Sequence, residues 1–178
     1  MELPFERRGV LLILPYFIDA SSEILRVLGE AIKGMKPDSM EPIFIKNHPV
    51  NRDFRFSDYD VDGTLFQTVN TTWLDSDMNE AVRGKSVIIL AKTTSTLECM
   101  LSGACIINYI PSGDLSMISL PEETMTKVSV AYTAKELRDC LKSRHRGLSK
   151  NESDELRKTA LTPVNEKTGA DFLQLRRI

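Results

Sequence analysis

Six short apolar runs recur along this chain, and stretches with helical spacing separate most of them. The runs are "GVLLILPY" at 9–16, "EPIFIKNHP" at 41–49, "TLFQTVN" at 64–70, "SVIILA" at 86–91, "ACIINYI" at 104–110 and "KVSVAY" at 127–132. Bounded by turn residues and rich in β-branched side chains, they read as strands covered on both faces. Between them, "DASSEILRVLGEAIKGM" carries Ile24, Leu25, Leu28, Ala31 and Ile32 on one helical face, with Ser21 or Ser22 as the expected cap and Gly34 near its end. Residues 77–82 and the segments 93–103, 133–143 and 149–161 supply further helices, the last opening on a capping box from Ser149 to Glu152. Strands alternating with helices imply an α/β fold: a doubly wound, mostly parallel sheet of about six strands with helices on both faces.

The 178 residues, 42% hydrophobic and 27% charged, suffice for one domain with a real core. We expect a single domain over 1–178, with a core of about 1–160 and a C-terminal helical tail at 161–178. The formal net charge of −2 gives no general attraction to nucleic acid, and the basic clusters Arg144-His145-Arg146 and Arg176-Arg177 read as solvated helix ends. "VLLILPYFI" is too short to span a bilayer and contains Pro15, so we read it as a buried strand. Cys99, Cys105 and Cys140 form no CxxC pair and read as reduced, packed thiols of a cytoplasmic protein. The sequons "NTT" and "NES" would meet no glycosylation machinery there.

Two familiar motifs fail on inspection. "RGKSV" contains the GKS of a phosphate loop, but Asn79 stands where the first glycine belongs, and the motif precedes a strand instead of following one. "DYDVDG" at 58–63 matches half of a calcium loop, but Val69 occupies the position that needs a bidentate glutamate. It reads as an exposed acidic loop.

In an open parallel sheet, ligands bind at the carboxyl ends of the strands. Lys46-Asn47-His48-Pro49 follows the second strand; Asn47 and His48 can donate to phosphate or ribose, and Pro49 restrains His48 to extended geometry. Thr93, Thr94, Ser95 and Thr96 cross the next strand-to-helix junction, where free backbone N–H groups and hydroxyls suit a phosphate. An ordinary cap needs one hydroxyl residue, not four. Glu98, a turn further on, could accept from ribose hydroxyls. Ser102-Gly103 ends that helix.

Taken together, Lys46-x-His48-Pro49 and Thr94-Ser95-Thr96-x-Glu98, followed by Gly103-Ala104-Cys105-Ile106-Ile107, resemble the C-terminal domain of GT-B glycosyltransferases. The likeness is to bacterial sialyltransferases, polysialyltransferases and related surface-carbohydrate biosynthesis proteins. It extends over residues 8–135, though its specific part is about a dozen residues; Cys99 stands where alanine is usual, and "GACII" replaces "GKPVI". The resemblance implies a Rossmann-like, donor-binding half that holds a nucleotide sugar, CMP-linked in preference to UDP-linked. His48 and the hydroxyl pair would hold the phosphate and Glu98 the ribose, with no cofactor or metal. It also implies a catalytic base in an N-terminal acceptor domain, so the chain is expected to be a fragment or to need a partner, and to transfer no sugar alone. Glycerophosphotransferases that use a CDP-linked donor share these motifs, and a non-catalytic scaffold is the third reading.

Overall fold

The computed structural model describes residues 7–36, 40–91, 95–111, 126–143 and 147–160. Within them, β1 (Val10–Ile13), β2 (Ile43–Lys46), β3 (Thr71–Leu74), β4 (Val87–Leu90), β5 (Cys105–Tyr109) and β6 (Val128–Ala131) form one sheet in the order β3-β2-β1-β4-β5-β6. Every pairing is parallel; Leu12, for example, lies between Ile45 and Ile89. The helices are α1 (Ile18–Lys33), α2 (Met78–Val82), α3 (Thr96–Leu101), α4 (Ala134–Ser143) and α5 (Lys150–Ala160). The fold is α/β and Rossmann-like.

Alternation along each strand divides the core into two layers. Val10, Leu12, Ile43, Ile45, Val87, Ile89 and Ile107 meet α1 and α4 on one face. Leu11, Ile13, Ile88, Leu90 and Ile106 meet α2, α3 and α5 on the other. Each fully buried Leu, Ile or Val contributes about 1.5–3 kcal/mol, which sets the register of these strands. Gly29 lets α1 approach the loop after β2, since a Cβ there would lie 2.8 Å from Leu65.

Two expectations are revised. The third strand lies later than "TLFQTVN": Asp62 accepts from Thr64 N–H at 2.9 Å and draws Gly63–Phe66 into a 3-10 turn, where Phe66 is buried against Phe56. The strand is the following Thr71–Leu74, at the sheet edge. Neither Ser21 nor Ser22 caps α1. The helix starts earlier, with Phe17 at its N-cap, and the Ser21 hydroxyl donates to Pro15 O at 3.1 Å.

Other features follow the sequence. Asp77 caps α2 through Glu80 N–H, and Ser149 and Glu152 form the capping box of α5. Gly103 ends α3 with φ of +74°. Cys99 and Cys105 are buried and Cys140 half-buried, all as free thiols. Burial, and then the charge of Glu98, push the Cys99 thiol up to about 12. Asp58, Asp60 and Asp62 are exposed, as an acidic loop should be. Among the described residues no helix is long and apolar enough to cross a membrane. The tail at 161–178 and the cluster at 144–146 lie outside the described residues.

Candidate functional site

The chain steps outward from β1 to β2 and β3, then returns to place β4 on the other side of β1. That reversal leaves a crevice at the carboxyl ends of β1 and β4. A cleft of about 600 Å³ opens there, crossing the ends of β1, β2 and β3 as far as the start of α3. Ile13, Leu14, Pro49, Leu74 and Met78 give it apolar walls; Lys46, His48, Arg52, Ser76 and Ser95 bring donors, and Asp75 and Asp77 bring carboxylates.

His48 is held from three directions. Pro49 keeps its backbone extended (φ −60°, ψ 143°), its ring meets Tyr16 edge-to-face at 5.3 Å, and its Nδ1 accepts from Val50 N–H at 3.3 Å. With Nδ1 an acceptor, the neutral ring carries its proton on Nε2, which remains to donate to a ligand. Lys46 reaches across from the end of β2 and donates to the Ser76 carbonyl in the β3–α2 connection. An ammonium has three protons, so this tether positions the charge without exhausting it.

Asn47 is not a ligand donor. It is buried, its amide donates to Arg52 O at 3.1 Å and Phe54 O at 2.9 Å, and its oxygen accepts from Tyr59 at 2.7 Å. These bonds fold the 48–59 loop back on itself and turn His48 outward. Burial, with the Asp58 charge, raises the Tyr59 phenol to about 12, so it stays a donor at all ordinary pH.

The remaining sequence candidates divide. Ser95 lines the cleft at the N-cap of α3. Thr96 is buried in the first turn and Glu98 is exposed, and neither is among the residues lining the cleft. Thr93 and Thr94 lie outside the described residues. Because α3 has only six residues, its dipole is small, and the side chains carry more of any phosphate contact. The rejected GKS sits at the opposite edge of the sheet: Lys85 lies over the Phe44 ring and the Ser86 hydroxyl donates to Glu41.

Two residues at the cleft escaped sequence reasoning, one behind its wall and one in its lining. One is Tyr16, which buttresses His48 from the end of β1. The other is Ser76, whose buried hydroxyl has no partner among the described residues. For Tyr16 a signal existed, because Tyr16, Tyr109 and Tyr132 all stand at or just beyond carboxyl ends of apolar runs.

No family model matches this chain, and no curated protein matches it in sequence. Among solved structures, it is similar to the FMN-dependent cysteine decarboxylase TvaF from thioviridamide biosynthesis, with a TM-score of 0.45 and 9% identity over 78% of this chain and 98% of that one. It is also similar to Os79 from O. sativa, solved with UDP and deoxynivalenol-3-glucoside, with a TM-score of 0.42 and 11% identity over 92% of this chain. This chain covers 35% of the length of Os79.

Proposed function

We propose that this chain binds the nucleotide-diphosphate or nucleotide-monophosphate part of an activated sugar, CMP-linked in preference to UDP-linked, as the donor half of a glycosyltransferase of surface-carbohydrate biosynthesis. The observation that carries this reading is the convergence of Lys46, His48 and Ser95 on one cleft at the strand-order reversal. An ammonium, an Nε2–H donor and a hydroxyl suit a phosphate, and a charge-assisted hydrogen bond contributes on the order of 1.5–3 kcal/mol. The apolar stretch from Ile13 to Met78 supplies a surface for the less polar part of a nucleotide.

The test is calorimetric titration with CMP, CDP, UDP and free cytidine. The expected result is saturable binding of the nucleotides at micromolar to millimolar affinity, on the order of 4–8 kcal/mol, with CMP or CDP ahead of UDP. Ser95→Ala should weaken CMP severalfold and leave cytidine unchanged. Binding of none of the nucleotides would sink the reading and favour a scaffold role.

A further inference from the structure

The cleft across the ends of β1, β2 and β3 is chemically divided. Lys46, His48 and Arg52 line it from the end of β2 and the turn that follows, and Ser95 lines it from the start of α3. Asp75, Ser76 and Asp77 line it from the β3–α2 connection. A phosphate suits the first set and is repelled by the carboxylates of the second. A ligand that fills both parts therefore has an anionic end and an uncharged part that donates protons.

The three residues of the β3–α2 connection differ in what they have left to offer. Asp77 is committed to the fold, since its Oδ1 accepts from Glu80 N–H at 2.9 Å and caps α2. Asp75 is exposed, and among the described residues nothing donates to its carboxylate or pairs with its charge. Ser76 is an independent sign that a polar ligand group belongs at this turn. Its hydroxyl is buried without a partner among the described residues, although buried hydroxyls are normally satisfied. The turn itself is anchored, because Lys46 Nζ donates to the Ser76 carbonyl and ties it to the end of β2.

Other carboxylates at this edge are engaged or misplaced. In a second, acidic cleft of about 680 Å³ on the α1 face of the sheet, Glu23 accepts from the Tyr109 hydroxyl at 2.7 Å and Asp58 from Arg55 N–H at 2.8 Å. Glu98, the sequence candidate for ribose, does not line the first cleft. Asp75 lines it with both oxygens open. A carboxylate in that state accepts two O–H donors at once, which is what a vicinal diol presents.

We propose that Asp75 accepts the 2′- and 3′-hydroxyls of a nucleotide's ribose, with the Ser76 hydroxyl bonding to the same diol, while Lys46, His48 and Ser95 hold the phosphate. Resting on the nucleotide reading above, this makes the ligand a ribonucleotide and sets its direction, with ribose towards β3 and phosphate towards α3.

Calorimetric titration with CMP and 2′-deoxy-CMP tests it. CMP should bind about fivefold more tightly than its deoxy counterpart, as expected for hydrogen bonds to a charged acceptor at an open site. Asp75→Ala should remove that preference by weakening CMP, leaving 2′-deoxy-CMP unchanged or tighter. Thermal unfolding should not move, because the Asp75 side chain bonds to none of the described residues. Glu98→Gln should keep the preference. Binding of neither nucleotide would sink the nucleotide reading and the ribose assignment together. Equal binding of the two would overturn the ribose assignment alone, as would a preference that survives Asp75→Ala or vanishes in Glu98→Gln. Equal binding joined to a loss in Asp75→Ala for CMP-sialic acid but not for CMP would also overturn it, moving the carboxylate's partner to a diol of the sugar.

Discussion

At the amino edge of the sheet, the Glu41 carboxylate accepts from Gly9 N–H at 2.6 Å and from the Ser86 hydroxyl, while Lys85 lies 4.1 Å above the Phe44 ring. At the carboxyl edge, Tyr16, Phe17, Ile18, Val50 and Tyr132 stand exposed around two clefts. The same residue types thus do opposite work at the two ends of the strands. Lysine and serine close the amino edge by bonding within the fold, and burial lowers the Lys85 pKa. At the carboxyl edge, lysine, histidine and serine line open space. Position along the strand, more than residue type, separates a structural polar group from one that can serve a ligand.

The carboxyl edge also contains the sharpest challenge to that contrast, because Asn47 and His48 are neighbours with opposite roles. Asn47→Ala should have the largest effect on stability, about 3 kcal/mol, since it removes three hydrogen bonds and leaves the Tyr59 hydroxyl buried without its partner. Denaturant unfolding measures this; a loss below about 1 kcal/mol would mean that water replaces those bonds and that the loop is not held as described. Glu41→Ala should follow at about 1–2 kcal/mol, because Gly9 N–H loses its acceptor, while the Ser86 hydroxyl keeps Gly9 O at 3.0 Å. CMP affinity in that variant should match the unaltered chain. A change in affinity as large as the change in stability would erase the distinction between the edges.

His48→Ala reverses the pattern. Calorimetry should show CMP binding weakened about tenfold, close to 1.4 kcal/mol, with thermal stability nearly unchanged because, among the described residues, the ring's hydrogen bond is to the exposed Val50 N–H. A sharp fall in stability with affinity retained would make His48 a second Asn47. The smallest effect lies away from both edges, at the start of α5. Lys127, and then Ser149, hold the Glu152 carboxyl down to about 2, against an ordinary value of 4.5. A lowered folded-state pKa gives stability that is complete above about pH 4.5 and disappears as pH falls through about 2. Acid titrations of unfolding for the chain and for Glu152→Gln should therefore converge below pH 2 and separate slightly above pH 4.5.

The sheet was legible because its signal is dense: "VLLILP", "SVIILA" and "ACIINY" can hide so many apolar side chains only as strands covered on both faces. The third strand was misread because "TLFQTVN" and "TTWL" are both half-apolar, and the decision between them rests on Asp62 capping Thr64, a local bond that hydrophobic periodicity does not register. The start of α1 was misplaced for a related reason. Two adjacent serines looked like a cap, whereas Ser21 lies inside the helix and bonds back to Pro15.

The site was half legible. Motif and strand-end position together pointed to Lys46, His48 and Ser95, and the fold places these three on one cleft. The side chain that a residue turns inward depends on partners far along the chain, so Asn47 could not be told from His48 before Tyr59 was seen beside it. The acidic cleft was illegible for the same reason, since Glu23 and Tyr109 meet only in the folded molecule.

The central position of β1 has a consequence for synthesis. Val10–Ile13 leaves the ribosome before the other five strands of the sheet, yet one of its two neighbours, β4, emerges only after Leu90 has been added. Until then a fully apolar segment can pair only with β2, and its other edge remains open to any extended chain nearby. Such distant pairing is slow, so the nascent protein passes through a period when it depends on dilution or on a chaperone. Substitutions in β4 should therefore reduce the yield of folded protein by more than their effect on equilibrium stability would indicate, with the excess recovered as aggregate.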